Sequence, residues 1–320
     1  MDQSKTIKLY QDMLLLRRFE EETGRLYMEG DIRGFCHLYI GEEAIAVGSI
    51  SCLSEKDYII THYRDHGHAL ARGINPKNIM SELMGKSDGT SAGKGGSMHI
   101  FDVSKRFMGG HAIVGGQLPI ACGLGFASKY QEENSIVLCF LGDGAVNEGE
   151  FHESMNLASL WKLPILFCLE NNLYGMGTHV NKTRSSGKDI YKIADSYKIP
   201  SMQIDGMDVL EVQKATQQSI EKIRSGEGPV FLEAMCYRFR GHSMADPSSY
   251  RKSQEVVEWQ KNDPIIKLEK FLSNQKIIDQ QKILKIKESV DSEIFDCIEF
   301  AKNSPDPKIE SLLENVYQNE

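Results

Sequence analysis

The chain has 320 residues, 41% of them hydrophobic and 26% charged, and carries a formal net charge of −8. That length can bury a large core, and the balance is that of a soluble globular protein. The acidic surplus argues against a nucleic-acid partner, and no apolar stretch is long enough to span a bilayer.

Residues 1–55 read as mostly helical, with Ile7, Tyr10, Leu14 and Phe19 on one face of a charged segment. The segment lacks a secretory apolar region and a cleavage site, and Glu20, Glu21 and Glu22 make it a poor mitochondrial transit peptide. Seven cysteines without a C-x-x-C spacing argue against a disulfide or zinc framework; Cys139 and Cys168 read as core filler in apolar strands. The expectation is a reduced, cytoplasmic, bacterial protein rather than one of the mitochondrial matrix. His37 follows in Arg33-Gly34-Phe35-Cys36-His37, an apolar stretch where a histidine is more often an interior group than a catalyst.

Residues 56–250 read as an α/β core. In Tyr63-Arg64 the planar guanidinium suits two phosphate oxygens at once, and an amphipathic surface pair is the plain alternative. His66 and His68 lack a metal-ligand pattern and read as structural or supporting. Gly89 to Gly96 is glycine-rich, but neither Gly85-Lys86-Ser87 nor Gly93-Lys94-Gly95 completes a Walker loop. The stretch reads as a mobile loop over the site. The dinucleotide fingerprint also fails around Gly123 and Gly175, which disfavours a nicotinamide-binding dehydrogenase.

The most informative run is Leu141-Gly142-Asp143-Gly144-Ala145-Val146-Asn147, answered by Glu170-Asn171-Asn172-Leu173-Tyr174. Each follows a short apolar segment, 136–141 and 164–169, and residues 151–163 between them carry a helical apolar set. The pattern predicts a βαβ unit of a parallel sheet with both polar clusters at strand carboxyl ends, where such sheets bind ligands. Glycines let backbone approach a phosphate. Asp143 spoils a simple phosphate cradle, since a carboxylate about 4 Å from a phosphate charge costs roughly 4 kcal/mol at an effective dielectric near 20. A bound Mg²⁺ reverses that sign, because magnesium takes carboxylate, carbonyl and phosphate oxygens. Asp143, the amide oxygen of Asn172 and a carbonyl near Tyr174 supply such a set. An unrelated glycine turn and Asx turn are the bland alternative.

Beyond the apolar run Val230 to Cys236 lies His242, beside Gly241 on a strand-end loop, where a histidine can move protons. Residues 251–320 are charged, helix-patterned and punctuated by Asp263-Pro264 and Ser304-Pro305-Asp306-Pro307. They read as a segment that packs on the core or on a partner rather than as a separate domain.

Gly-Asp-Gly at 142–144 and Asn-Asn at 171–172 resemble the signature of thiamine-diphosphate enzymes. Tyr63-Arg64-Asp65-His66-Gly67, Gly93-Lys94-Gly95-Gly96-Ser97-Met98-His99 and Gly241-His242-Ser243-Met244-Ala245-Asp246-Pro247 narrow the likeness. The chain resembles the α subunit of the first component of 2-oxoacid dehydrogenases, the pyruvate group in particular. The resemblance implies a thiamine-diphosphate-binding fold, a mostly parallel sheet flanked by helices with helical N- and C-terminal segments. It implies Asp143, Asn172 and the Tyr174 carbonyl as Mg²⁺ ligands and Gly144 and Ala145 along the diphosphate. Tyr63 and Arg64 then bind the diphosphate from the opposite side, with His242 beside them. Ala112 and Val114 meet the aminopyrimidine through backbone atoms, although the family often has glycine at the first. His37 and His242 face the reacting carbon and substrate. It further implies that a β subunit in an α2β2 heterotetramer supplies the acid that activates the ring. Pyruvate is then the substrate, and the lipoyl domain of a dihydrolipoyl acetyltransferase takes the acetyl unit. Glu148, Glu150 and Glu170 lie near the motif but read as helix-start charges and a strand-end surface group. Ser243 matches a serine phosphorylated in some eukaryotic relatives. Branched-chain 2-oxoacid and acetoin dehydrogenase α subunits share these motifs and stay open as alternatives.

Overall fold

The computed structural model describes residues 2–185 and 187–314; Met1, Ser186 and the last part of the C-terminal segment, 315–320, lie outside the described residues. Helix α1 (Gln3–Glu29) begins where the Asp2 side chain accepts the Ser4 and Lys5 N–H groups, and it stops at Gly30 in the left-handed region. Its Tyr10, Leu14 and Phe19 are buried, and Ile7 packs at the edge of the same core. Helix α2 (Glu43–Ile50) is buried along its whole length. Strand β1 (Tyr58–His62), helices α3 (His66–Ala71) and α4 (Pro76–Leu83), and strand β2 (Phe107–His111) follow.

The predicted βαβ unit comes next, after helix α5 (Gln117–Tyr130). It comprises strand β3 (Val137–Gly142), a short 3₁₀ turn over Asp143–Asn147, helix α6 (Gly149–Leu160) and strand β4 (Ile165–Asn171). The helix ends earlier than its apolar pattern suggests. Lys162 turns left-handed (φ 48°) and Pro164 lies just beyond, so Trp161 to Leu163 form the exit turn. Helix α7 (Val180–Thr183), strand β5 (Ser201–Asp205), helix α8 (Val209–Arg224) and strand β6 (Val230–Met235) complete the core. Helices α9 (Ser253–Gln260), α10 (Pro264–Asn274) and α11 (Gln280–Asn303) close the chain.

The strands form one six-stranded sheet in the order β2-β1-β3-β4-β6-β5, with every neighbouring pair parallel. The two motif strands are therefore central neighbours, in register from Val137 opposite Ile165 to Gly142 opposite Glu170. Alternation along the strands feeds two cores. Leu138, Phe140, Leu166, Cys168 and Leu232 belong to one core with residues of α1, α2, α8, α10 and α11. Val137, Cys139, Leu141, Phe167 and Phe231 face α5 and α6. The helices hold β3 and β4 rigidly from both sides, and their carboxyl ends stay open.

The glycine-rich stretch is not a loose lid. The buried Glu82 carboxylate accepts four of its backbone N–H groups, from Ser91 (2.8 Å), Gly93 (2.9 Å), Gly95 (2.7 Å) and Gly96 (3.0 Å). The expectation of a mobile loop is corrected: glycines here let backbone wrap a carboxylate of the same chain. The loop leads into Ser97, whose hydroxyl accepts the His37 N–H at 3.2 Å. Replacing Glu82 with alanine orphans those donors and is expected to lower unfolding stability by about 2–4 kcal/mol, with Glu82→Gln milder. Urea denaturation measures this, and an unchanged midpoint for Glu82→Ala would remove the anchoring role.

Candidate active site

A cleft opens at the carboxyl ends of β1, β3 and β4. Tyr63, Arg64, Val114, Asp143, Gly144, Ala145, Asn172, Tyr174 and His242 all line it. His37 stands just behind that wall, its ring 4.7 Å from Tyr63 and 5.3 Å from His242. Ala112 follows β2 directly and is not among the residues that line the cleft, whereas Val114, two residues on, is.

The acidic wall is shaped by local backbone chemistry. The Asn171 and Asn172 side chains accept the N–H groups of Leu173 (3.1 Å) and Tyr174 (3.3 Å). These Asx turns bend the chain at once after β4. Leu173 is forced left-handed (φ 72°), a conformation that costs a non-glycine residue about 1–3 kcal/mol and that collects at functional sites. Asn172 Nδ2 donates to Glu42 Oε1 at 3.0 Å, which fixes its amide oxygen on the other side. That oxygen and the Tyr174 carbonyl converge on one atom, Arg238 Nη1, each at 3.4 Å. Asp143 stands buried nearby, and burial pushes its carboxyl up to about 6 against the pull of Arg238. A cation already occupies the converging oxygens, but as a side chain. Gly144 leaves open space beside them, since a Cβ there would meet only Gly175 Cα at 4.0 Å.

The opposite wall carries surplus positive charge. Arg64 is 3% exposed, and its guanidinium donates to the Leu38 carbonyl (2.7 Å) and the His242 carbonyl (2.9 Å). Burial and the neighbouring Arg238 hold it below its ordinary value. Arg238 is buried too and donates to neutral oxygens of Asn172, Tyr174, Arg240 and Tyr250. Burial and Arg64 push His37 down to about 2 and His242 down to about 3, so both rings are neutral near pH 7. Both leave Nδ1 buried without a hydrogen-bond partner.

Residues 11–310 match the family described as dehydrogenase E1 component. The chain belongs to that family. It is 46% identical to the pyruvate dehydrogenase E1 component subunit alpha of Rickettsia typhi, over 97% of this chain and 95% of that one. The Rhizobium meliloti subunit of the same name is 45% identical over 97% and 89% of the two chains. That of Zymomonas mobilis is 43% identical over 98% and 89%. Membership of the dehydrogenase E1 component family implies an enzyme subunit, thiamine diphosphate dependence and a β subunit as partner.

The cleft fits a magnesium-bound diphosphate. A divalent ion satisfies the buried Asp143 and the two converging oxygens, and an anion relieves two buried guanidinium groups and two orphaned imidazoles. Arg238 is the residue that sequence reading missed; its signal was an arginine directly after a buried strand. Glu170 needs correcting. It is not a surface group but 1% exposed on the cleft wall, because β4 lies in the middle of the sheet. His66 and His68 are buried supports, His66 between Glu20 and Ser97, His68 between Thr61 and Glu170.

Replacing Asp143 with alanine is expected to abolish Mg²⁺-dependent thiamine diphosphate binding in titration calorimetry; retained binding would remove it from the ligand set. For the histidines the sign is fixed by their depressed values. Free chain should keep neutral imidazole nitrogen shifts at positions 37 and 242 down to about pH 4, where an exposed histidine is protonated. Nitrogen-15 NMR reads this, and protonation near pH 6.5 would contradict the assigned burial.

Proposed function

We propose that this chain is the α subunit of a pyruvate dehydrogenase E1 component. It works with thiamine diphosphate and Mg²⁺ in the β3–β4 cleft. A β subunit in an α2β2 assembly completes the site, and a lipoyl group receives the acetyl unit. The observation that carries the reading is the convergence of Asn172 Oδ1 and the Tyr174 carbonyl on one cation beside buried Asp143. The names of the relatives support pyruvate as substrate. All seven cysteines are free, in keeping with a reduced cytoplasmic setting.

In this reading Asp143, Asn172 and the Tyr174 carbonyl hold the metal, and Gly144 and Ala145 admit the diphosphate to the backbone. Arg64 stays on its carbonyl partners and offers its remaining N–H groups. Arg238 would have to leave the two oxygens for a metal to be held there. A thiamine diphosphate bound there would supply the electron sink for the electron pair left when carbon dioxide departs. His242 lines the cleft and would orient a substrate carboxylate, with His37 packed against it from behind. An adjacent anion raises their affinity for a proton, so a proton can be held there during turnover.

The acids beside the motif in sequence are poor candidates to protonate the pyrimidine ring. Glu148 and Glu150 are exposed, and Glu170 is engaged with Tyr39, His62 and His68. A partner is further supported by an uncovered apolar face beside the cleft mouth. Ile113 and Val114 before α5, Ile120, Phe126 and Tyr130 on α5, Leu160 at the end of α6 and Trp161 just after it are all exposed. Phe126 lies 5.7 Å from Trp161 between ring centres, so the face is already ordered.

Purified chain alone is expected to give no decarboxylation, and co-purified β subunit to restore it, with pyruvate preferred over branched 2-oxoacids and acetoin. Full turnover by the isolated chain would refute the shared site. A preference for branched 2-oxoacids or acetoin would move the protein to the corresponding sister group.

A further inference from the structure

Strand β1 ends at His62, directly before Tyr63 and Arg64 on the cleft wall. The His62 ring is held from both sides. Arg64 N–H donates to Nδ1 at 3.1 Å, so Nδ1 carries no proton. The ring proton is therefore on Nε2, which donates to Glu170 Oε2 at 2.5 Å. The same carboxylate accepts from His68 Nε2 at 2.9 Å and from the Tyr39 hydroxyl. Burial would raise Glu170, yet His68, His62 and their hydrogen bonds hold it well below the usual carboxylate range.

His62, His68 and Glu170 have the residue types of a metal centre, with their ligand atoms within 4.8 Å of one another. The hydrogen bonds argue otherwise. A metal on His62 Nε2 would force the ring proton onto Nδ1, where it would meet the Arg64 N–H head-on. Thr61 Oγ1, 3.2 Å from His68 Nδ1, completes the second ring as a donor to Glu170. The cluster is a carboxylate satisfied by three protein donors.

What remains unexplained is the contact of a side chain with the backbone two residues ahead of it. It is the imidazole counterpart of an Asx turn. The Arg64 N–H is buried and would otherwise be orphaned. We infer that His62 is a positioning residue for the phosphate-facing pair. Its Nδ1 sets the turn by which β1 delivers Tyr63 and Arg64 to the cleft, and Glu170 braces the ring from behind. The turn also governs the His242 loop, because the Arg64 guanidinium holds the His242 carbonyl at 2.9 Å. The inference rests on the reading of the cleft as a diphosphate site.

Three variants of the chain, each co-purified with its β subunit, separate the two contacts of the ring. His62→Asn keeps an acceptor in the Nδ1 place but cannot reach Glu170. His62→Gln reaches Glu170 with an amide N–H but offers nothing to Arg64. His62→Ala loses both. Calorimetric titration with thiamine diphosphate and Mg²⁺, thermal unfolding and the kcat and KM for pyruvate are measured together. The alanine variant is expected to bind the cofactor about tenfold more weakly, the size of one hydrogen bond, and to melt earlier. Asn should recover affinity but not melting temperature, and Gln melting temperature but not affinity. The kcat at saturating cofactor should change less than the cofactor affinity. Recovery of affinity by Gln, failure of Asn to recover it, or unchanged affinity in all three would overturn the positioning role. A folded wild-type assembly that takes up no thiamine diphosphate would overturn the cleft reading itself, and the inference with it.

Discussion

Two buried guanidinium groups, Arg64 and Arg238, and two buried carboxylates, Glu42 and Asp143, meet at the carboxyl ends of the central strands, and the Arg64–Glu42 pair among them is long, at 3.7 Å. Arg238 leans on neutral oxygens, Arg64 on two carbonyls with Glu42 at 3.7 Å, and Asp143 is pushed up to about 6 by burial. Unmatched buried charge is costly, so a fold that keeps it needs a ligand or a rigid frame to hold it. Magnesium with a diphosphate carries both signs of charge at the required places.

The frame is the parallel sheet. Adjacent central strands β3 and β4 stop at the same level, and each core braces one of their faces. Gly41 brings the preceding loop into the site. Its φ is +105°, and a Cβ there would meet the Tyr237 carbonyl at 2.3 Å, so only glycine lets this segment lie against the end of β6. Glu42 is thereby delivered to Asn172, and the Asn172 oxygen is turned into the cleft. Sequence position, backbone freedom and one hydrogen bond thus decide where the Asn172 amide oxygen points.

The parts of this arrangement carried by local pattern were legible in the sequence. Two apolar runs with a helix between them gave the βαβ unit, and the glycines and asparagines at their ends gave Asp143, Asn172 and Tyr174. Parts that depend on distant pairings were not. Arg238 was not singled out, because nothing in the residues around it tells that the fold lays it across Asn172. Glu170 read as a surface group because nothing in Leu169-Glu170-Asn171 tells that three donors from residues 39, 62 and 68 converge there. Gly89 to Gly96 read as mobile because a glycine-rich composition is the same whether the backbone is free or wrapped around Glu82. Ala112 was carried over from a family pattern; it is not among the residues that line the cleft, although Val114 is.

Membership of the dehydrogenase E1 component family implies a β subunit as partner of this chain. The central claim is narrower and concerns charge: one divalent ion joins Asp143, Asn172 and the Tyr174 carbonyl to a diphosphate. A crystal structure of the co-purified assembly grown with thiamine diphosphate and Mn²⁺ in place of Mg²⁺ tests it most directly through the anomalous signal of the metal. The account predicts one peak bonded to those three oxygens, with the Arg238 guanidinium moved off them. A peak elsewhere, or Arg238 still bridging Asn172 and Tyr174 in the loaded enzyme, would contradict it.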